Sequence, residues 1–143
     1  MTTADVVRLG PAEALSVATL LAAHLHEQRG GEPPRPDRYH AERLLCEDGL
    51  VLIGARLDRE LVGIAVVHEL TDSLTGAPLG LIETVFVRPE RRGRGVGRSL
   101  LDGVGDLGRR RMWSRIGRVA EVANRFTAMR DPSADGPRAT TSR

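Results

Sequence analysis

The chain has 143 residues, 41% of them hydrophobic and 28% charged, which suits one soluble domain with a core of its own and leaves no room for two. All 21 basic residues are arginine, so lysine chemistry is excluded throughout: no phosphate-loop lysine, no Schiff base, no lysine general base. The net charge of +2 hides an asymmetry, because residues 1–87 carry 7 Arg against 13 acids, a net of −6, and residues 88–143 carry 14 Arg against 6 acids, a net of +8; the first part suits a cation and the second an anion.

In chain order, Thr2 to Leu9 alternates weakly and predicts a first strand, and Pro11 can open a helix in its first turn. Leu15, Ala18, Leu21, Ala22 and Leu25 recur at helical spacing as one apolar face, ended by Gly30-Gly31. This stretch is too short and too polar to span a membrane, no signal-peptide pattern precedes it, and a cytoplasmic location is expected. The proline-rich connector at 32–36 is stiff and non-helical, and a second helix runs from Asp37 as N-cap to Cys46. That single cysteine rules out an internal disulfide and any cysteine zinc motif.

Two short apolar runs, Leu50 to Ala55 and Leu61 to Val67, flank Asp58-Arg59 and predict a β-hairpin. A third run, Leu79 to Val87, extends it into a three-strand antiparallel meander. From Met112 to Met129 the spacing of Met112, Ile116, Val119, Ala123 and Phe126 predicts one amphipathic helix, with 115–119 at best a weak strand. Residues 131–143 read as a disordered tail behind a single domain at 1–130.

The most informative segment joins the third strand to a helix through Arg88-Pro89-Glu90-Arg91-Arg92-Gly93-Arg94-Gly95-Val96-Gly97-Arg98. Glycines at alternate positions allow close backbone approach, and free N–H groups at a helix start make an anion site that Arg92 and its neighbours reinforce with formal charge. A phosphate or pyrophosphate ligand is implied. The dinucleotide fingerprint fails on spacing, since Arg98 and Leu100 stand where glycine is required, and the Walker loop fails for want of lysine.

Arg92-x-x-Gly95-x-Gly97 between a strand and a helix resembles the acetyl-CoA loop of the GNAT acetyltransferase superfamily, and the run Ile82 to Leu101 is similar to that family's central motif. The resemblance covers residues 2 to about 111. It implies an α/β fold with a mixed, mostly antiparallel central sheet flanked by helices. It also implies that backbone N–H groups of Arg92, Gly93, Arg94, Gly95, Val96, Gly97 and Arg98 hold the pyrophosphate of acetyl-CoA, and that the edge of Val85, Phe86 and Val87 pairs with the pantetheine. The implied reaction is transfer of an acetyl group to a primary amine of a small molecule or peptide by direct attack in a ternary complex. Neither nucleic acid, nor membrane, nor metal is expected as a partner: aromatics are sparse among the arginines, and no histidine set has ligand spacing.

Glu83 is the one acid in its apolar strand, on the face opposite Ile82 and Thr84 by simple alternation. Its counterpart in the family often serves as general base; a solvated strand residue or an arginine partner explains it equally well. His68 with Glu69 could line an acceptor pocket. The family's later tyrosine acid and Gly-Phe pair have no match here, Asn124 is a candidate match for its asparagine, and the only tyrosine is Tyr39. The sheet edge beyond the third apolar run then needs a cover from helix 112–129 or a homodimer partner, or the chain is a truncated relative. The alternative to an enzyme is a catalytically inactive CoA-binding module.

Overall fold

Asp58 and Arg59 both take left-handed φ, 49° and 71°, the backbone of a two-residue hairpin turn whose twist matches its flanking strands. They join β2 (Leu50–Leu57) to β3 (Glu60–Thr71). The meander continues into β4 (Pro78–Val87), while β1 (Asp5–Arg8) adds antiparallel to the outer edge of β2. The computed structural model describes residues 3–120; the expectations for the 131–143 tail, for Asn124 and for the later part of a 112–129 helix lie outside the described residues.

The sheet has five strands in chain order, and only the last, β5 (Ile116–Arg118), is parallel to its neighbour. Helices α1 (Ala14–Arg29) and α2 (Arg38–Leu45) cover one face, burying Val17, Leu20 and Ala41 with Leu52, Ile64 and Phe86. Helix α3 (Val96–Arg110) covers the other, burying Leu100, Val104 and Leu107 with Val51, Val62 and Val67. Central strands buried on both faces explain why β2 and β3 read as continuous apolar runs. Asp37 caps α2 as expected, its Oδ1 accepting the His40 N–H at 2.9 Å.

Three expectations change. The buried stripe of α1 is Ala14, Val17, Ala18 and Leu20, whereas Leu15 is 63% exposed; of the predicted stripe, Ala18 is both core and cavity lining, and Leu21, Ala22 and Leu25 line a chamber between the helices and the sheet. The proposed helix from Met112 is interrupted, since Met112 has φ 59°, Ser114 N–H donates to Pro78 O at 2.8 Å and Gly80 N–H donates to Arg115 O at 3.1 Å. Sheet pairing therefore overrides a helical period that residues 112–118 share only by spacing. The Trp113 ring fixes this segment, lying against Gly80 and Gly108, where a Cβ would collide with it, while its Nε1 donates to Glu69 Oε2 at 2.5 Å.

Third, Thr84 pairs with Val66 and Ile82 pairs with Val67, which leaves Glu83 as an unpaired extra residue, a β-bulge. Ile82, Val85 and Val87 pack on the α3 side, whereas Phe86 packs on the α1 side. Glu83 faces away from Ile82 as read, but shares its side with Thr84.

Candidate functional site

Two cavities adjoin strand β4. The first, a cleft of about 440 Å³, is lined by Val85, Phe86, Val87, Arg92, Gly93, Gly95, Val96 and Gly97, together with His24 and Glu27 from α1. The eight residues from 85 to 97 had been singled out from the sequence; Arg94 and Arg98 are exposed and do not line it.

Two features give the cleft its chemistry. The first is an open sheet edge. Strand β5 pairs with Gly80, Leu81 and Ile82 only, so among the described residues the outer edge of β4 is unpaired from Glu83 onward. Arg88 N–H donates to Val62 O, toward β3; the preceding carbonyl, that of Val87, therefore points to the open side, where Arg92 Nε donates to it at 2.9 Å.

The second feature is a helix start. Gly93 and Gly95 both have φ 80°, and α3 begins directly after Gly95. The first helical bond runs from Ser99 N–H to Gly95 O, so the N–H groups of Val96, Gly97 and Arg98 have no intrahelical acceptor and carry the positive end of the helix dipole. A Cβ built on Gly93 or Gly95 meets nothing within 4 Å: these glycines border open space that a ligand backbone or phosphate can enter. The Arg92 N–H, in contrast, donates to Pro89 O at 3.3 Å, so the run of available amides begins at Gly93.

The Arg92 side chain turns inward. Its guanidinium pairs with Glu27 at 2.7 Å and lies over the Phe86 ring, 5.5 Å from the centroid. The hydrogen bond with Glu27 raises the Arg92 pKa and lowers that of Glu27. Phe86 also meets the His24 ring at 4.9 Å between centroids. Burial holds the His24 pKa below its ordinary value, with Glu27 opposing and Arg92 adding to the effect.

The second cavity, a chamber of about 500 Å³, lies between α1, the proline-rich connector, α2 and the sheet. Glu83 and Thr84 border it from β4 and His68 from β3. His68 Nε2 lies 2.6 Å from Glu83 Oε1; an ionised carboxylate can only accept, which assigns the hydrogen to Nε2. Glu69, paired with His68 in the sequence reading, is instead held by Arg111 at 2.5 and 2.7 Å and by Trp113, outside the chamber. Tyr39, 71% exposed on α2, lines neither cavity.

His24 borders both the cleft and the chamber, a role sequence reasoning missed. Its pairing with Phe86 spans 62 residues of chain, and no local pattern announces such a contact.

The family model for the acetyltransferase (GNAT) family matches residues 18–130. The chain belongs to the GNAT acetyltransferase family. An aminoglycoside N(6')-acetyltransferase type 1 from Stenotrophomonas maltophilia is 32% identical over 86 residues, 58% of this chain and 52% of that protein, so the chain spans about half the length of the curated relative it matches. The crystal structure of a ribosomal-protein-alanine N-acetyltransferase from Brucella melitensis biovar Abortus 2308 superposes with a TM-score of 0.74 at 29% identity, covering 81% of this chain and 79% of that one. An aminoglycoside acetyltransferase from an uncultured soil metagenomic sample superposes with a TM-score of 0.66 at 27% identity, covering 81% and 78%. This GNAT chain shares the fold of both: a mixed sheet with helices on each face. Among the described residues no group of His, Cys, Asp and Glu is arranged to hold a metal ion, and no helix is long and apolar enough to cross a membrane.

Proposed function

We propose that the protein transfers an acetyl group from acetyl-CoA to a primary amine by direct attack in a ternary complex, with Glu83 as general base. The observation that carries this reading is the arrangement of β4, whose open edge borders the cleft while Glu83 and Thr84 border the chamber.

The cleft residues suit acetyl-CoA. The amides from Gly93 to Arg98 would hold the pyrophosphate at the α3 N-terminus, and the Val85 and Val87 backbone would pair with the amide groups of the pantetheine arm. Acetyl-CoA would supply an activated thioester: an uncharged amine attacks its carbonyl carbon, the C–S bond breaks, and the second proton of the attacking nitrogen passes to the departing CoA thiolate or to solvent. Because the amine is cationic at neutral pH, it must first lose a proton. Glu83 accepts that proton at a carboxylate oxygen, and His68, bonded to Oε1, fixes its orientation. His24, whose pKa burial lowers, borders both cavities. The leaving thiolate, with a thiol pKa of about 8.5, can depart without a protein acid, so Tyr39 need take no part.

Glu83→Gln keeps the shape and removes the base. It should lower kcat by ~10²–10⁴ with acetyl-CoA affinity retained. Acetylation by Glu83→Gln at the wild-type rate would reject Glu83 as base. Wild-type protein that binds acetyl-CoA yet acetylates no member of a broad amine panel would instead be an inactive CoA-binding module.

A further inference from the structure

The charge balance of residues 1–87 points to a cationic acceptor, but the structure shows where those acids go. Glu13 pairs with Arg56, Glu27 with Arg92, Glu60 with Arg91, and Glu69 with Arg111, all at 3.2 Å or less. Asp72 is taken up by the Leu74 N–H and Ser114 Oγ. None of these carboxylates borders the chamber.

What borders it is mostly apolar. Leu21, Ala22 and Leu25 of α1, Leu44 of α2, and Leu50 and Val66 of the sheet form the walls, with Pro34 at the connector. Two carboxylates reach it. Asp37 is already engaged as the α2 N-cap and sits beside Arg35, also a lining residue. Glu83, whose Oε1 is bonded to His68 Nε2, is the other, and it stands on β4 where, in the acetyltransferase reading, the amine meets the thioester. The histidines on the walls, His24, His40 and His68, add no negative charge.

We infer that the chamber selects an acceptor with one amine on an apolar body, such as an arylalkylamine or the N-terminus of a peptide beginning with an apolar residue, and discriminates against polycationic, hydroxyl-rich amines such as aminoglycosides. The inference rests on the acetyltransferase reading for its account of Glu83, and on the lining residues for the rest. An amine carrying several ammonium groups would lose water from each and find a carboxylate at no more than two. Its hydroxyls would find partners only at scattered polar side chains such as Gln28, His40 and Thr84, and would otherwise face leucine and valine walls that offer none. An apolar body exchanges water for those same walls and gains from their burial.

Isothermal titration of the full chain, with and without saturating CoA, tests this using phenethylamine, the tripeptide Leu-Gly-Gly, tobramycin and spermidine. At least one monoamine should bind tenfold or more tightly than tobramycin and spermidine, the scale on which pockets separate ligands by complementary polarity. Which monoamine binds more tightly tells a free amine from a peptide N-terminus. Leu25→Glu, at a position 37% exposed on α1, adds a carboxylate to the wall without opening the core and should narrow the preference about tenfold. Tobramycin or spermidine binding as tightly as either monoamine, no binding by both monoamines at millimolar concentration, or an unchanged preference in folded Leu25→Glu would each overturn the inference. CoA thiol release, followed in the same samples, separates the two readings: a monoamine that binds but is never acetylated refutes the acetyltransferase reading and leaves the chamber's selectivity standing.

Discussion

Gly97 and Gly95 stand two residues apart in the cleft, and replacing each by alanine should move stability in opposite directions while weakening acetyl-CoA in both. Gly97 lies in the first turn of α3, and a Cβ there meets only Val87 Cγ2 at 3.9 Å, an ordinary contact. Alanine is the better helix former by up to ~1 kcal/mol, and about half of that is expected so close to the helix start. Gly95 has φ 80°, where alanine pays ~1–2 kcal/mol for the left-handed backbone even though its Cβ meets nothing within 4 Å. For a domain of this size, about 3–5 °C per kcal/mol translates these into a Tm rise of about 2 °C and a fall of about 3–10 °C. Both methyl groups enter the space where backbone amides should approach the pyrophosphate, so the Kd for acetyl-CoA should rise about tenfold or more in each, equivalent to 1.4 kcal/mol of lost contact. Differential scanning fluorimetry and isothermal titration measure the two effects on the same samples. A stabilised Gly97→Ala that binds acetyl-CoA with wild-type affinity would refute the assignment of the α3 amides to the ligand. Gly95→Ala with an unchanged Tm would refute the left-handed turn.

The glycines further along α3 should also separate. A Cβ on Gly103 would stand 2.6 Å from Val6 Cγ1 in β1, whereas one on Gly105 would meet only the mobile end of Arg109 at 3.8 Å. In urea denaturation Gly105→Ala should therefore stabilise by up to ~1 kcal/mol, while Gly103→Ala should destabilise, overpacking of ~1–3 kcal/mol outweighing the same helix gain; equal signs would reject the close α3–β1 packing. Stability should fall with acidification in two stages. Burial lowers the His24 pKa, so as pH drops through the unfolded value of 6.5 the unfolded chain takes up the proton first and stability declines until the folded group titrates. The Arg111 hydrogen bond lowers the Glu69 pKa and the Leu74 N–H lowers that of Asp72, so their contributions, full above 4.5 and 3.8, are lost as pH falls through the folded values. Urea midpoints across pH should show the first stage disappear in His24→Phe; its persistence would assign that stage to another group.

The cleft at the α3 N-terminus was legible because its elements are local. Strand, turn and helix start are contiguous from Ile82 to Leu101, and glycine spacing reports backbone geometry directly. The strand after α3, read only as a weak alternative at 115–119, was outweighed by the helical period because its signal is not local: residues 112–118 are drawn to β4 by Gly80 and Pro78 backbone groups and by a tryptophan seated on two glycines, more than 25 residues apart in the chain. Of the apolar face predicted on α1, Leu15 is exposed, while Ala18, Leu21, Ala22 and Leu25 do share a side, one that lines the chamber. Periodicity reports that Ala18, Leu21, Ala22 and Leu25 share a side, but core and chamber wall both want apolar side chains, and spacing carries no information on which of them faces that side.

Glu83 shows the same limit at one position. In a regular strand residues 83, 85 and 87 share a face, and Val85 and Val87 pack on the α3 side. Without a bulge, a carboxylate would be directed into that core layer, where burial of a charge is costly unless it is paired. One unpaired residue reverses the alternation, so that Glu83 and Thr84 both open on the chamber while Val85 and Val87 keep their core contacts. The insertion also kinks β4 next to the point where β5 stops pairing, at Ile82. A single irregularity thus places the acid at the chamber and coincides with the opening of the strand edge that borders the cleft, which is how, in the proposed mechanism, one short strand would serve both partners of the transfer.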